Sequence, residues 1–236
     1  MDVKTATDVG QVRENNEDAL WVGPHCLVVC DGMGGHLAGE VAAAEAIEAI
    51  KSFKFTGEKP EQEIREAITQ AQKRVLKVAK ESDNYKGMGS TITLAWFSPV
   101  LDTGERQLIV GHIGDSRCYV FTNGGLEQIT SDHSVVGELL RSGTITPLEA
   151  RIHPKRHILT QVLGSPEIDP ELITKTLEVG SLVLLCTDGL TDVMDDELIG
   201  DILGNKDKSS NLAQDLVDRA NELGGPDNIT AIVAKV

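Results

Sequence analysis

Four aspartates stand beside glycine or proline at the ends of strand-like segments, and together they could perform one kind of chemistry. These residues are Asp31, Asp115, Asp188 and Asp227. A single Asp in such a place is often only a turn residue or a helix cap, because its side chain bonds nearby backbone. Several carboxylates on one edge of a sheet assembly would repel one another unless cations lay among them. All-oxygen ligands suit Mg²⁺ or Mn²⁺ rather than zinc, so the pattern predicts a metal site.

Two such ions about 3.5 to 4 Å apart can hold a bridging water, lower its pKa and direct it at phosphorus. The first of the four sites is the segment Asp31-Gly32-Met33-Gly34-Gly35-His36. It follows the apolar run from Cys26 to Cys30, which is typical of a buried strand. Its glycines permit backbone angles that other residues resist, so we expect a flexible turn at which Asp31 and the Gly32 carbonyl offer oxygen ligands.

Amphipathic helices and short strands must position these residues. Apolar residues recur at helical spacing from Ala43 to Phe53 and again from Ile64 to Val78, and Pro60 can open the second helix. Strand-like patterns occupy segments 3–9, 19–22, 90–97, 108–113 and 118–121. Because the later strands follow one another without helical crossovers, we expect a mostly antiparallel sheet.

The C-terminal part repeats the arrangement of a strand followed by Asp and Gly. The apolar strand Leu182 to Cys186 leads directly into Thr187-Asp188-Gly189. Segment 211–223 has the apolar face of a helix, with Leu223 on that face, and segment 229–236 alternates like a closing strand.

The segment from Thr130 to Gly164 is irregular, with Gly and Pro between short helical pieces. Loops of this length in a compact domain tend to be functional, so we interpret it as a flap over a site. A purely structural connector is the alternative. The sequence has no internal repeat or linker, which favours one domain over residues 1–236, with a flap subdomain around 134–163.

Charge and cysteine content limit the partners and the compartment. A formal net charge of −15 disfavours nucleic acid and anionic membranes, although much of this charge could simply form a solvated acidic surface. The 4 cysteines lie in apolar runs without a C-x-x-C pair, which favours buried, reduced thiols over a zinc knuckle. No apolar run approaches the roughly 18 to 20 residues of a membrane span, and we expect a cytoplasmic protein.

The ordered set of motifs resembles that of the metal-dependent serine/threonine phosphatases of type 2C, the PPM phosphatases, in a compact bacterial form. The motifs are Glu17-Asp18, Asp31-Gly32-Met33-Gly34-Gly35-His36, Gly87-Met88-Gly89-Ser90-Thr91, Gly114-Asp115-Ser116-Arg117, Asp188-Gly189 and Gly225-Pro226-Asp227-Asn228. Each motif alone is weak, whereas the set in this order is highly specific. The resemblance implies an α+β fold in four α-β-β-α layers, with two central, mostly antiparallel sheets flanked by helices.

The resemblance also implies a ligand set for Mn²⁺ or Mg²⁺, with two core ions and a weaker third. Asp31 would bridge the core ions, with the Gly32 carbonyl on one of them. The other implied ligands are Asp188 and Asp227 on the second ion, Glu17 and Asp18 through water or at a neighbouring site, and Asp115 with Asp188 and Asp192 at the third.

Two further residues match positions with catalytic roles in the family. Arg13 matches the residue that binds the substrate phosphate, and its planar guanidinium suits two phosphate oxygens. His36 matches a proposed general acid, which would protonate the departing serine or threonine oxygen. The alternative for His36 is a hydrogen bond to metal-bound water without proton transfer.

The implied reaction is hydrolysis of phosphoserine and phosphothreonine in proteins by a metal-bridging water, without a covalent intermediate. The implied partners are targets of serine/threonine kinases, and we expect a monomer. No Cys is followed six positions later by Arg, and no P-loop motif occurs, so a cysteine phosphatase and a P-loop nucleotide hydrolase are excluded. An inactive scaffold and a phosphatase of small metabolites are the remaining alternatives.

Overall fold

Two antiparallel sheets lie face to face in the computed structural model, which describes residues 1–35, 38–101, 104–123, 125–205 and 211–236. The first sheet contains β2 (Asp18–Val22), β3 (Cys26–Met33), β5 (Ile92–Phe97), β6 (Arg106–Ile113) and β9 (Glu171–Leu177) in that spatial order, with the short β4 (Gly89–Ser90) paired to β3. The second sheet contains β1 (Asp2–Asp8), β11 (Ile229–Lys235), β10 (Leu182–Cys186), β7 (Arg117–Thr122) and β8 (Gly125–Gln128) in that spatial order.

Helices cover the outer face of each sheet. Against the first sheet pack α1 (Ala38–Ser52) and α2 (Pro60–Val78). Against the second pack α5 (Asp188–Thr191), α6 (Asp196–Gly204) and α7 (Leu212–Glu222). Pro60 begins α2, as the sequence predicts, because its missing N–H would have no partner in the first turn anyway.

Alternation along the strands builds three layers of core. In β3, Cys26, Val28 and Cys30 face the helices, whereas Leu27 and Val29 face the other sheet, because successive side chains of a strand point to opposite faces. All five are buried. The predicted α+β sandwich with α-β-β-α layers is therefore confirmed, and its central layer joins the two sheets that carry the aspartates.

Two short helices, α3 (Val135–Arg141) and α4 (Pro147–Arg151), lie in the segment between β8 and β9. Hydroxyl groups cap both helices: Ser134 accepts from the Gly137 N–H, and Thr146 forms a reciprocal capping box with Glu149. Near its two ends, the backbone of this segment pairs with itself through an isolated β-bridge between Ser134 and Leu159. We refer to residues 134–163 as the flap segment.

Two local expectations from the sequence were wrong, and a third was only partly confirmed. The segment Asp31–Met33 is not a turn, because β3 continues through it and Asp31 pairs with Asp18. Leu223 does not face the core: α7 ends before it, the chain turns at Gly224, and Leu223 is 40% exposed. The expected strand over 90–97 is interrupted at Thr91, which separates β4 from β5.

All four cysteines are buried free thiols, as expected from their apolar surroundings. Among the residues that the structure describes, no helix combines the length and apolar character needed to cross a membrane.

Candidate functional site

Strand pairing brings the first two acidic residues together. Asp18 begins β2 and lies directly opposite Asp31 of β3 in the antiparallel register. The β3 strand can continue past Asp31 only because the next residue is a glycine. A Cβ on Gly32 would collide with the carbonyl oxygen of Gly39 in α1, so the close approach of helix and strand requires glycine here.

The second sheet supplies two more aspartates from neighbouring strand ends. Asp188 follows β10 and begins α5, and Asp227 precedes β11, which pairs with β10. The start of α5 can approach the backbone of Asn228 closely only because residue 189 is glycine. A Cβ on Gly189 would collide with the carbonyl oxygen of Asn228. The carboxylates of Asp188 and Asp227 consequently interact with each other.

The turn from β6 to β7 crosses from the first sheet to the second and carries Asp115. Hydroxyl groups fix this turn against β5: the Ser116 and Thr91 hydroxyls lie 2.7 Å apart, and the backbone carbonyl of Ser116 accepts a 2.7 Å hydrogen bond from Thr93 Oγ1. This position brings Asp115 close enough to Asp31 and Asp188 for their carboxylates to repel one another. Aspartates from both sheets therefore meet at one end of the sandwich.

Burial and mutual repulsion make these carboxylates unusually weak acids. Burial, together with repulsion from neighbouring carboxylates, raises the pKa of Asp18 and of Asp188 from 3.8 to about 7. Burial likewise holds the pKa of Asp31 well above its usual range, with repulsion from Asp188, Asp18 and Asp115 adding to the effect. The pKa of Asp115 is raised well above its usual range for the same two reasons.

Two buried oxygens in this cluster have no hydrogen-bond partner among the residues that the structure describes. Oδ1 of Asp18 and Oδ1 of Asp188 accept no hydrogen bond from any described residue. Buried polar atoms are nearly always paired, so an orphaned carboxylate oxygen calls for a ligand of opposite charge. The nearby Arg117 does not fill this role, because it binds Asp132 through two bonds of 2.9 and 2.7 Å. The donor set fits divalent cations that prefer oxygen.

Arg13 and Glu17 lie at the edge of the cluster. Arg13 is 49% exposed, and its Nη2 donates a 2.7 Å hydrogen bond to Oδ2 of Asp227. Burial raises the pKa of Glu17, an effect that the charge of Arg13 opposes. The guanidinium of Arg13 therefore stands beside the carboxylates with part of its surface open to solvent.

The side chain of Asn228 ties the edge of the cluster to the second sheet, a role that the sequence did not reveal. Its Oδ1 accepts a 2.8 Å hydrogen bond from the Glu17 N–H, and its Nδ2 donates bonds of 2.9 Å to the carbonyls of Val9 and Asn15. The Gly225-Pro226-Asp227-Asn228 motif was the only signal, and it drew attention to Asp227 instead.

Asp192 and a histidine from the flap segment stand on the side of Asp188. Asp192 follows α5, and its N–H bonds the Asp188 carbonyl at 2.8 Å. Nδ1 of His157 lies 3.7 Å from Oδ2 of Asp192. His157 was not among the candidates from the sequence, because the irregular pattern of residues 130–164 gives no sign of where a side chain points. His36, the histidine that the sequence analysis did propose as a general acid, lies outside the described residues.

The family model for protein phosphatase 2C matches residues 11–232. The chain belongs to the protein phosphatase 2C family. The resemblance inferred from the ordered motifs is therefore confirmed, and the aspartates that meet at one end of the sandwich lie in these motifs.

This protein phosphatase 2C domain is similar to curated bacterial phosphatases. The chain is 37% identical over 232 residues to the serine/threonine protein phosphatase PstP of Mycobacterium tuberculosis, with 98% of this chain and 44% of PstP covered. It thus spans less than half the length of PstP. It is 35% identical over 246 residues to the protein phosphatase PhpP of Streptococcus pneumoniae, with 100% of this chain and 98% of PhpP covered.

Solved structures agree with the fold. The catalytic domain of the serine/threonine protein phosphatase PstP in complex with two manganese ions superposes with a TM-score of 0.89 and 34% identity, covering 99% of this chain and 97% of that one. The similarity extends over both sheets and the helical layers.

Proposed function

We propose that this protein phosphatase 2C domain hydrolyses phosphoserine and phosphothreonine in proteins, using bound Mn²⁺ or Mg²⁺. The observation that carries the proposal is the buried cluster of Asp18, Asp31, Asp115 and Asp188, in which two carboxylate oxygens lack partners among the described residues. Such a cluster is costly to bury without cations. Its metals, when bound, would lower the pKa of a water and orient it toward phosphorus.

Each acidic residue has a proposed position in the ligand set. Asp31 interacts with Asp18, Asp115 and Asp188, and this central place supports its role as the ligand shared by two core ions. The Gly32 carbonyl would bind one of these ions. The remaining proposed ligands are Asp188 and Asp227 at the second core ion, Glu17 and Asp18 through water or at a neighbouring position, and Asp115 with Asp192 at a weaker third ion.

Arg13 is proposed to bind the substrate phosphate. Its side chain is half exposed, and Asp227 holds it beside the cluster through Nη2. No other bond to the guanidinium is made by the described residues, so its other N–H groups can bind phosphate. His36 is proposed to give a proton to the departing serine or threonine oxygen, since an alkoxide is a poor leaving group.

We also propose which proteins are the substrates, the oligomeric state and the compartment. The substrates would be proteins phosphorylated by serine/threonine kinases, selected in part by the flap segment, and the protein would act as a monomer. The similarity to PstP, a serine/threonine protein phosphatase, and to PhpP, a protein phosphatase, supports the substrate class. The four buried free thiols support a reducing compartment such as the cytoplasm.

The test is hydrolysis of phosphoserine and phosphothreonine peptides, compared with a panel of phosphorylated metabolites, in EDTA, Mg²⁺ and Mn²⁺. We expect metal-dependent release of phosphate from the peptides and little from the metabolites. The variant Asp31→Asn should lose most of this activity, because it removes the shared ligand. Absence of metal-dependent turnover would favour a scaffold, and preference for metabolites would contradict the protein substrate.

A further inference from the structure

A row of three polar residues crosses the first sheet and takes no part in the proposed reaction. Thr93 of β5 lies opposite His112 of β6, and His112 lies opposite Glu171 of β9. Directly opposite residues of antiparallel strands share a face, so all three side chains lie on the same side of the sheet. That side faces the second sheet, because His112 is two residues after Val110, which packs between the sheets.

A second histidine, His133, covers this row from the segment that follows β8. Its N–H donates a 2.7 Å hydrogen bond to the carbonyl of Gly114, and its ring centroid lies 4.8 Å from that of His112. Both imidazoles are buried. One ligand atom from each of His112, His133 and Glu171 lies within 4.8 Å of the other two. Two imidazoles and one carboxylate therefore converge between the sheets.

The hydroxyl of Thr93 determines which nitrogen of His112 carries the proton. Thr93 Oγ1 donates its single hydrogen to the carbonyl of Ser116 at 2.7 Å. It can therefore only accept a hydrogen bond from His112 Nδ1, which is 2.9 Å away. Burial lowers the pKa of His112 to about 3, so the ring is neutral at pH 7. With its one proton on Nδ1, the ring has a free lone pair on Nε2.

This lone pair has nothing to bind in the described part of the chain. Nε2 of His112 is buried and has no hydrogen-bond partner among the described residues. The nearby carbonyls of Gly114 and Ser131 are acceptors as well, so they cannot supply a proton to it. Buried polar atoms are nearly always paired, and a lone pair among other acceptors calls for a cation.

We propose that His112, His133 and Glu171 bind one Zn²⁺ ion at a site separate from the catalytic carboxylates. Two histidines and one glutamate form a known zinc ligand set, in which water takes the fourth position. Water can enter beside Glu171, which is only partly buried and lies on the edge strand of the sheet. Imidazole favours Zn²⁺ over Mg²⁺. The inference does not depend on the proposed phosphatase function.

Binding requires small local changes. Zinc binds nitrogen at about 2.0–2.1 Å and oxygen at about 2.0–2.2 Å, so the three ligand atoms must approach one another by on the order of 1 Å. The Gly114 N–H donates a long bond of 3.3 Å to His133 Nδ1, and this bond must break. Binding through Nδ1 uses that lone pair, and binding through Nε2 moves the ring proton to Nδ1. One long hydrogen bond is thus exchanged for three metal–ligand bonds.

The experiment titrates Zn²⁺ into the full chain, after EDTA has been removed, with and without saturating Mg²⁺. Zn²⁺ that binds the carboxylate cluster must displace Mg²⁺, so its apparent affinity should fall. The proposed site should bind one Zn²⁺ per chain with an affinity that Mg²⁺ does not change, as measured by calorimetry. X-ray absorption at the zinc edge, with one equivalent of Zn²⁺ in saturating Mg²⁺, should show two imidazole ligands.

Variants identify the ligands. His133→Gln and Glu171→Gln should weaken the Mg²⁺-insensitive event on the order of a hundredfold or more. His112→Gln should do the same, and the partly exposed Glu171 provides a variant that disturbs the core less. The matched controls are His25→Gln and Glu178→Gln, which replace exposed residues and should bind Zn²⁺ like the unsubstituted protein. Urea denaturation in EDTA verifies that each variant is folded.

Three results would overturn the site. One is Zn²⁺ binding that Mg²⁺ weakens at every event in the unsubstituted protein. Another is a zinc shell without two imidazoles. The third is an unchanged Mg²⁺-insensitive event in folded His133→Gln and Glu171→Gln. Each of them would leave the phosphatase proposal intact, because that proposal depends on other residues and on Mn²⁺ or Mg²⁺.

Discussion

Thr187 and Asp18 are joined by a 2.8 Å hydrogen bond across 169 residues of sequence. The Thr187 hydroxyl donates this bond to Asp18 Oδ2 and accepts a 3.0 Å bond from the Thr230 N–H. Thr187 and Thr230 belong to the second sheet and its strand ends, whereas Asp18 begins a strand of the first. One buried hydroxyl therefore fixes a carboxylate from one sheet against the other, with Oδ1 of Asp18 left without a partner among the described residues.

Replacing this hydroxyl should destabilise the domain. Thr187→Val keeps the shape but leaves Asp18 Oδ2 and the Thr230 N–H without partners, which should lower the free energy of unfolding by about 1–3 kcal/mol. Urea denaturation measures the change. Thr187→Ser, which keeps the hydroxyl, should lie much closer to the unsubstituted protein. Equal losses in both variants would show that the methyl group, not the hydrogen bonds, matters.

Neutralising a buried aspartate should separate stability from metal binding. Asp188→Asn removes a buried charge that repels its neighbours, so in EDTA its free energy of unfolding should increase by about 1–3 kcal/mol. The same variant should lose most of the stabilisation that Mn²⁺ gives the unsubstituted protein. Both are measured by urea denaturation with EDTA or Mn²⁺.

The exposed Asp201 on α6 provides the control for this variant. Asp201→Asn should change the free energy of unfolding by less than about 0.5 kcal/mol in either condition. If Asp188→Asn were destabilised in EDTA and still stabilised by Mn²⁺, Asp188 would be a structural residue rather than a metal ligand.

Stability in EDTA should fall as the pH rises above 6.5. Burial raises the pKa of Asp18 and Asp188 from 3.8 to about 7, so the folded state retains protons that the unfolded state has already released. Such groups stabilise the fold at low pH and lose this contribution as the pH rises through their folded pKa. Burial lowers the pKa of His112 from 6.5 to about 3, so this residue makes stability increase with pH instead. Most of that increase occurs below pH 6.5, because above it the unfolded state has released most of the His112 proton as well.

The free energy of unfolding in EDTA should therefore decrease by about 1 kcal/mol or more between pH 6.5 and about 8. Saturating Mn²⁺ should reduce or reverse this trend, because bound cations keep the carboxylates ionised in the fold. Denaturation curves at several pH values measure both trends. Stability that increases with pH in EDTA would contradict the assignment of raised pKa values to these aspartates.

The sequence was sufficient to predict the layers and the acidic residues, because both depend on local patterns. Alternating apolar residues and helical stripes identify strands and helices, and Asp beside Gly marks where strands end. The sequence did not reveal that β6 and β7 belong to different sheets. Alternation is the same in either sheet, and only pairing with β9 and β10 distinguishes them.

The details of the site depend on long-range contacts that no local pattern encodes. The segment after Asp31 resembles a turn because it is rich in glycine, yet Gly32 extends the strand since it pairs with Ser90 and packs against α1. The bonds of Asn228 connect it to residues more than 200 positions away. His157 approaches Asp192 only through the path of the flap segment.

The planar guanidinium of Arg13 should matter more than its charge. Arg13→Lys keeps a cation but cannot bind two phosphate oxygens and Asp227 at once, so kcat/KM for a phosphopeptide should fall by about tenfold or more. Steady-state kinetics measure the loss. Arg65→Lys, at an exposed ion pair with Asp169, is the control and should be unchanged. Full activity of Arg13→Lys would remove the forked phosphate contact from the proposal.

His36 can be tested by changing the leaving group. A serine or threonine alkoxide needs a proton as it departs, whereas p-nitrophenolate departs readily without one. His36→Ala should therefore slow phosphopeptide hydrolysis by about 10²-fold or more while p-nitrophenyl phosphate hydrolysis falls far less. The control His25→Ala should leave both rates unchanged. Equal losses on the two substrates would assign His36 to hydrogen bonding with metal-bound water instead, because that role serves both substrates alike.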